Sequence, residues 1–205
     1  MQELLREEPD AYPSLVGFDV AGDELAKSAA ELRPALVPLM RDCVHMTIHA
    51  GETDTSESVW QAVYDLNAER IGHGLRIAEW PGLPARLIDR RISIELCPSS
   101  NAQIVGFRDR FIPGTEGCPP YPLRAYMRAG LRCTVNTDNL GISRTDFSRE
   151  LHRAARLTEG GLSLWEVLRI VRDGFRGAFL GREERHRLLR EAESAIDEII
   201  QEGLP

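Results

Sequence analysis

Five short apolar runs, each ending in a polar cluster, constrain this 205-residue chain more than any other feature. Val16-Gly17-Phe18-Asp19-Val20 leads into Ala21-Gly22-Asp23-Glu24, and Cys43-Val44-His45-Met46-Thr47-Ile48 leads into His49-Ala50-Gly51-Glu52. Arg70-Ile71-Gly72-His73-Gly74 is the third. Ile92-Ser93-Ile94-Glu95-Leu96-Cys97-Pro98 runs into Ser99-Ser100-Asn101, and Arg132-Cys133-Thr134-Val135-Asn136-Thr137 into Asp138-Asn139. Their β-branched content reads as strand, and segments of helical periodicity separate them. Strands alternating with helices predict a parallel sheet with helical crossovers. In a β/α barrel the polar residues at the C-terminal strand ends are where chemistry is done.

The intervening helices have recognisable signals. Ala29, Leu32, Leu36, Leu39 and Met40 recur at helical spacing, and Pro34 and Pro38 predict that this helix is short or kinked. Thr55-Ser56-Glu57-Ser58 reads as a capping sequence for a helix over Val59–Asn67. Short helices are expected near Pro84–Arg90 and Pro120–Ala129, with a Gly/Pro-rich loop, Gly106–Pro120, between them. Residues 1–11 read as the tail of a helix. After Asn139 the strands stop, and residues 145–158, 163–174 and 182–201 read as three amphipathic helices. The expected fold is therefore α/β: a partial (β/α)8 TIM-type barrel of about five parallel strands with C-terminal helices, forming one domain over residues 1–205. A closed barrel of this type needs eight strands.

Composition narrows the function. The chain is 42% hydrophobic, enough for a real core, and its net charge of −7 argues against nucleic-acid or anionic membrane partners. No apolar run approaches the ~18–20 residues of a membrane span, and the N-terminus has no signal-peptide character. Cys43, Cys97, Cys118 and Cys133 show no C-x-x-C spacing. They are expected to be reduced structural thiols of a cytoplasmic protein.

Taken together and in this order, GFDVAGDE, HAGE, RIGHG, ELCPSSN and NTDN resemble the adenosine deaminase family of metal-dependent hydrolases. The resemblance runs from about Tyr12 to about Leu180. It implies hydrolytic deamination of a purine nucleoside, adenosine to inosine and ammonia, with Zn2+ as cofactor. His49 and Asp138 match the metal ligands, and Glu52 matches the acid that protonates the purine at N1. His73 resembles the residue that activates and orients the attacking water. Gly22 matches the glycine whose N–H reaches purine N3, and Asn139 the residue facing N7, where an amide can donate without first being protonated. Asp23 and Glu24 are expected to hold their loop, and Ser99, Ser100 and Asn101 to act as scaffolding.

The family's His-x-His, carried on the first barrel strand, is absent from this chain. His45 shares a strand face with His49 but lies ~13 Å along it, too far for a metal bond of about 2 Å. His152 and His186 fall in the late helices. The expectation is thus a chain that needs an N-terminal barrel fragment to complete its site, and whose open strand edges lead it to pair with itself, aggregate or take a partner. The alternative is a non-catalytic remnant or partner-dependent subunit with a binding or structural role. A zinc deaminase of the H-x-E and P-C-x-x-C type is excluded, since Cys97-Pro98 has no second cysteine in register.

Overall fold

The computed structural model describes residues 15–202. The helix tail expected over residues 1–11 lies outside them. Five strands, β1 (Gly17–Val20), β2 (His45–Ala50), β3 (Arg70–His73), β4 (Ser93–Leu96) and β5 (Arg132–Val135), form one parallel sheet in chain order. Crossovers are made by α1 (Ala29–Arg41), α2 (Ser56–Tyr64), α3 (Leu83–Asp89), α4 (Pro98–Ile104) and α5 (Leu123–Ala129). After β5 come α6 (Leu140–Ser143), α7 (Phe147–Leu157), α8 (Leu164–Gly177) and α9 (Arg182–Gln201). No helix among the described residues is long and apolar enough to cross a membrane.

Register explains how the sheet divides its labour. Paired residues point the same way, and the period of two then sorts each strand into two faces. Ile48, Ile71, Ile94 and Cys133 form one rung and are almost fully buried in the main apolar core, with Met46, Leu96 and Val135 on the same face. Each buried aliphatic side chain of this kind contributes roughly 1.5–3 kcal/mol. The opposite face is polar: Thr47, Arg70, Ser93 and Arg132 form one rung, and His49, Gly72, Glu95 and Thr134 the next. On that face Thr47 Oγ1 donates to Glu95 at 2.5 Å and Arg70 pairs with Glu95 at 2.9 Å.

Several local expectations are corrected. Of the two expectations for helix α1, short or kinked, the first is corrected, since it runs for 13 residues through both prolines. The carbonyls they orphan belong to Ala30 and Pro34, both exposed, so water can replace the lost bonds. Ser28 forms the capping box with Glu31. The capping sequence expected before α2 does not act as one. The helix starts at Ser56, Thr55 makes no side-chain cap bond, and Ser58 Oγ instead donates to the Thr55 carbonyl and accepts from Gly51 N–H. Two helices escape the sequence reading, α4, which begins at Pro98, and the single turn α6. All four cysteines are unpaired, and Cys97 and Cys133 are buried.

Helix α8 is anchored by a two-armed ion pair. Arg124, on α5, donates through Nε and Nη2 to the two oxygens of Glu166, both at 3.0 Å, while Glu166 also closes a capping box with Ser163. The Arg124 hydrogen bonds, followed by the Ser163 backbone N–H, hold the Glu166 carboxyl at about 2, well below 4.5. A group depressed on folding stabilises the fold above its unfolded value and loses that contribution as pH falls toward its folded value. Glu166→Gln keeps an acceptor for Ser163 but removes the charge. It is expected to lower the unfolding midpoint near neutrality, with the deficit shrinking as pH drops from 4.5 toward 2. A deficit independent of pH, measured by thermal denaturation, would show that the charge does not stabilise the fold.

Candidate active site

His49 stands on the polar face near the end of β2, and its ring lies against β3 where Gly72 has no side chain. A Cβ at Gly72 would come within 2.6 Å of His49 Cδ2, so the glycine makes room for this imidazole rather than for His73. His49 Nε2 faces the Asp19 carboxylate at 3.9 Å. Asp19 pairs with Thr47 in the ladder and so points to the same face. Beyond β2 the chain turns at Gly51, φ +68, and the loop is gathered by the Glu24 carboxylate. That group accepts from the N–H groups of Glu52 (3.0 and 3.2 Å), Thr53 (3.2 Å) and Asp54 (2.9 Å). Glu24 therefore holds the loop that carries Glu52, across from its own. Asp23 organises the local turn by accepting from Leu25 N–H at 3.0 Å.

His73 closes the cluster through its backbone. Alternation would send it with Ile71 toward the helices, yet its φ of +66 turns the ring until Nε2 is 3.0 Å from His49 Nδ1. Asp138 is also left-handed, at φ +53. Such conformations cost about 1–3 kcal/mol each in residues other than glycine, and they gather where a site dictates side-chain direction.

One buried amide joins these groups. Asn101, fully buried in the first turn of α4, donates from Nδ2 to Glu52 Oε1 at 2.7 Å and to His73 Nδ1 at 2.9 Å. Its Oδ1 accepts from Cys97 N–H at 3.1 Å and from the Tyr121 hydroxyl at 2.9 Å. Those two donors fix which end of the amide is oxygen. The network thereby assigns the His73 proton to Nε2, with Nδ1 accepting. The Asn101 assignment as scaffolding is correct in kind but understates its contacts, because its neighbours lie 28 and 49 residues away in the chain.

The electrostatics separate the two titratable groups. Burial, opposed by the Asn101 hydrogen bond and reinforced by Glu24 and Asp138, pushes the Glu52 carboxyl above its usual range. Burial, then the neighbouring His49, lowers His73 to about 4, so its imidazole is neutral at physiological pH. A carboxylic acid inclined to keep its proton beside a neutral imidazole is a pairing suited to acid–base work on a bound ring. Burial pushes the Cys97 thiol up, which leaves it inert as a nucleophile.

The remaining candidates sit around this pair. Asp138 is exposed, but its charge reaches both Glu52 and His73. Asn139 is the N-cap of α6, its Oδ1 accepting from Ile142 N–H at 2.9 Å, which leaves only its Nδ2 to meet a ligand. Gly22, at φ +120, lines a cavity of about 440 Å³ with His49, Glu24 and Gln61, and needs to be glycine for its backbone rather than for space. His45 is stacked on Phe179 at 4.8 Å and bonded to Glu69 at 2.8 Å, away from the cluster. A catalytic zinc requires three protein ligands and a water. Among the described residues no group of three His, Cys, Asp or Glu is placed to hold a metal. The two residues expected as ligands, His49 and Asp138, would leave such a shell incomplete. Sequence reading also missed Asp19 and Tyr121, the first recoverable from its place at the end of β1 and the second from no local signal.

Asn101→Ala would strand the Tyr121 hydroxyl, the Cys97 N–H and the Glu52 and His73 acceptors. An unsatisfied buried group costs about 1–3 kcal/mol. The substitution is expected to lower stability by at least about 2 kcal/mol in urea denaturation. A loss below about 0.5 kcal/mol, the ordinary range for a surface change, would show that the amide is not the tie described.

Comparison with known proteins identifies the family and the fold. The family model described as adenosine deaminase matches residues 4–195. An aminodeoxyfutalosine deaminase of Streptomyces coelicolor is 33% identical over 180 residues, covering 88% of this chain and 44% of the relative. An adenosine deaminase of Escherichia coli O1:K1 / APEC is 34% identical over 181 residues, covering 88% and 51%. The chain thus spans about half the length of these curated relatives. The crystal structure of an amidohydrolase with bound Zn, reported from Burkhoderia ambifaria, superposes with a TM-score of 0.77 at 20% identity, covering 89% of this chain and 49% of that one. The five parallel strands are the same barrel architecture, and the chain belongs to the adenosine deaminase family.

Proposed function

We propose that this chain carries the acid–base half of a site for hydrolytic deamination of a purine nucleoside, adenosine in the first instance. The observation that carries the reading is the Asn101 amide, which holds Glu52 at 2.7 Å and His73 at 2.9 Å beside His49. Glu52, pushed above the ordinary carboxyl range, donates its proton to purine N1 as water adds at C6. The neutral His73, whose Nε2 lies 3.0 Å from His49 Nδ1, orients that water from beside His49. Of the two protons the water gives up, one restores Glu52 and the other departs with the amine as ammonia, so adenosine plus water becomes inosine plus ammonia. The Gly22 N–H meets N3, and the free Nδ2 of Asn139 donates to N7.

Zinc fits this reading in part. His49 and Asp138 would hold it together with donors outside this chain, and when bound it supplies the Lewis acidity that makes water a competent nucleophile at neutral pH. Those donors belong, in this proposal, to a polypeptide bearing the family's first three strands. Such a polypeptide would also cover β1 and β5, which each have one neighbour in the described sheet. An uncovered apolar parallel edge invites association. Pairing of two copies is the alternative way to shield it. A non-catalytic partner-binding role is the second reading, favoured by the incomplete metal shell.

The purified chain is expected to bind zinc weakly and to release no ammonia from adenosine. Mixing it with a polypeptide containing those three strands should restore both. In that assembly Glu52→Gln should retain purine binding and lose about 10²–10⁴-fold in turnover. Aminodeoxyfutalosine assayed in parallel decides the substrate. Tight stoichiometric zinc with ammonia release by the chain alone contradicts the need for a partner, and near-native turnover of Glu52→Gln contradicts the proposed acid.

A further inference from the structure

At the opposite end of the sheet from Glu52 and His73, the strand starts open onto a second cavity of about 460 Å³. Its walls present six arginines, Arg70, Arg90, Arg91, Arg132, Arg176 and Arg185, against a single lining carboxylate, Glu69. This is unexpected in a chain of net charge −7. The convergence is built by register. Arg70 and Arg132 open β3 and β5 on the same rung as Ser93, so both point to the polar face, and α8 and α9 supply Arg176 and Arg185.

The acids nearby are already committed. Glu95 pairs with Arg70 at 2.9 Å, and Arg70 also lies 3.7 Å over the Phe179 ring. Asp173 is shared between Arg176 at 3.4 Å and Arg169 at 3.7 Å, and Glu69 is bonded to His45 at 2.8 Å. Among the described residues Arg90, Arg91, Arg132 and Arg185 have no carboxylate within 4.0 Å. Arg90 lies over the Tyr64 ring, and Arg185 reaches only the carbonyls of Ala178 and Leu180. Burial depresses the Arg132 pKa, and Arg176, Arg91 and Arg185 press it further down against the single opposing charge of Asp173. Among the described residues, four guanidinium groups thus face one cavity with no carboxylate in direct contact, and Asp173 acts on Arg132 only from a distance.

We infer that this cavity binds the di- or triphosphate group of a small molecule. Guanidinium forks match phosphate oxygens in pairs, which a lysine cluster would not do as well, and four of them suit an anion of several charges. The cavity is within the range of small-molecule sites. The half-buried Arg132 and Arg185 are the inner ligands, and the exposed Arg90, Arg91 and His186 add donors on the solvent side. It lies three residues along β3 from His73, roughly 10 Å, and shares no residue with the deaminase cluster.

Calorimetric titration of the full chain with pyrophosphate, ATP and, as a control without phosphate, adenosine tests this in about 0.1 M salt. Pyrophosphate and ATP are expected to bind at one saturable site, and to weaken at least about tenfold in both Arg132→Gln and Arg91→Gln. Arg149→Gln, which alters the opposite end of the molecule, should leave the affinity unchanged. Equal affinity for the two ligands identifies inorganic polyphosphate chemistry as sufficient, whereas tighter ATP identifies a nucleotide. Arg91 is exposed, so its variant reports even if Arg132→Gln fails to fold. Absence of saturable binding by the wild-type chain, indifference to both substitutions, or equal weakening by Arg149→Gln overturns the inference.

Discussion

The four hydrogen bonds of the Asn101 amide are the interaction on which the site depends. Two donors, from Cys97 and Tyr121, seize its oxygen, and its two N–H groups are then free only toward Glu52 and His73. The left-handed turn at His73 and the grip of Glu24 on the Glu52 loop bring the imidazole and the carboxylate near each other. The amide ties the two side chains at one buried point and settles where the His73 proton resides. The acid–base pairing proposed for Glu52 and His73 thus rests on groups of this chain.

That arrangement is sustained by a sheet with two characters. The apolar rung of Ile48, Ile71, Ile94 and Cys133 packs in the core and fixes register, since a one-residue slip would exchange it with Thr47, Arg70, Ser93 and Arg132. Register so fixed lets the polar face carry charge at both ends. At the C-terminal ends lie His49, Glu52 and His73, gathered around Asn101. At the N-terminal ends Arg70 is neutralised by Glu95, while Arg132 is left for an anion. The left-handed residues His73 and Asp138 are strained positions that a well-anchored core can tolerate.

Much of this architecture could be read from residue pattern, and the exceptions have physical causes. The five strands, their parallel arrangement and the late helices follow from alternation of apolar runs with polar ends. Helix α4 was hidden because Pro98 and two serines resemble a turn, yet a proline in the first turn leaves a helix intact. Helix α1 was underestimated because the orphaned carbonyls at Ala30 and Pro34 meet solvent, a fact of burial rather than sequence. Within the site, the types and order of His49, Glu52, His73 and Asp138 were visible. The Asn101 bridge, the turn of His73 and the space that Gly72 leaves for His49 were not, because each depends on groups brought together by folding. Likewise no window of sequence reveals the arginine cavity, whose members come from five separate segments.

The tie through Asn101 is tested by the tautomer of His73 in the metal-free full chain, read from long-range proton–nitrogen NMR of the imidazole near neutral pH. A neutral ring is expected, with its proton on Nε2 and an unprotonated Nδ1 accepting from Asn101, a pattern that Asn101→Asp, which removes the donor, should abolish. A proton on Nδ1, or a doubly protonated ring, would contradict it.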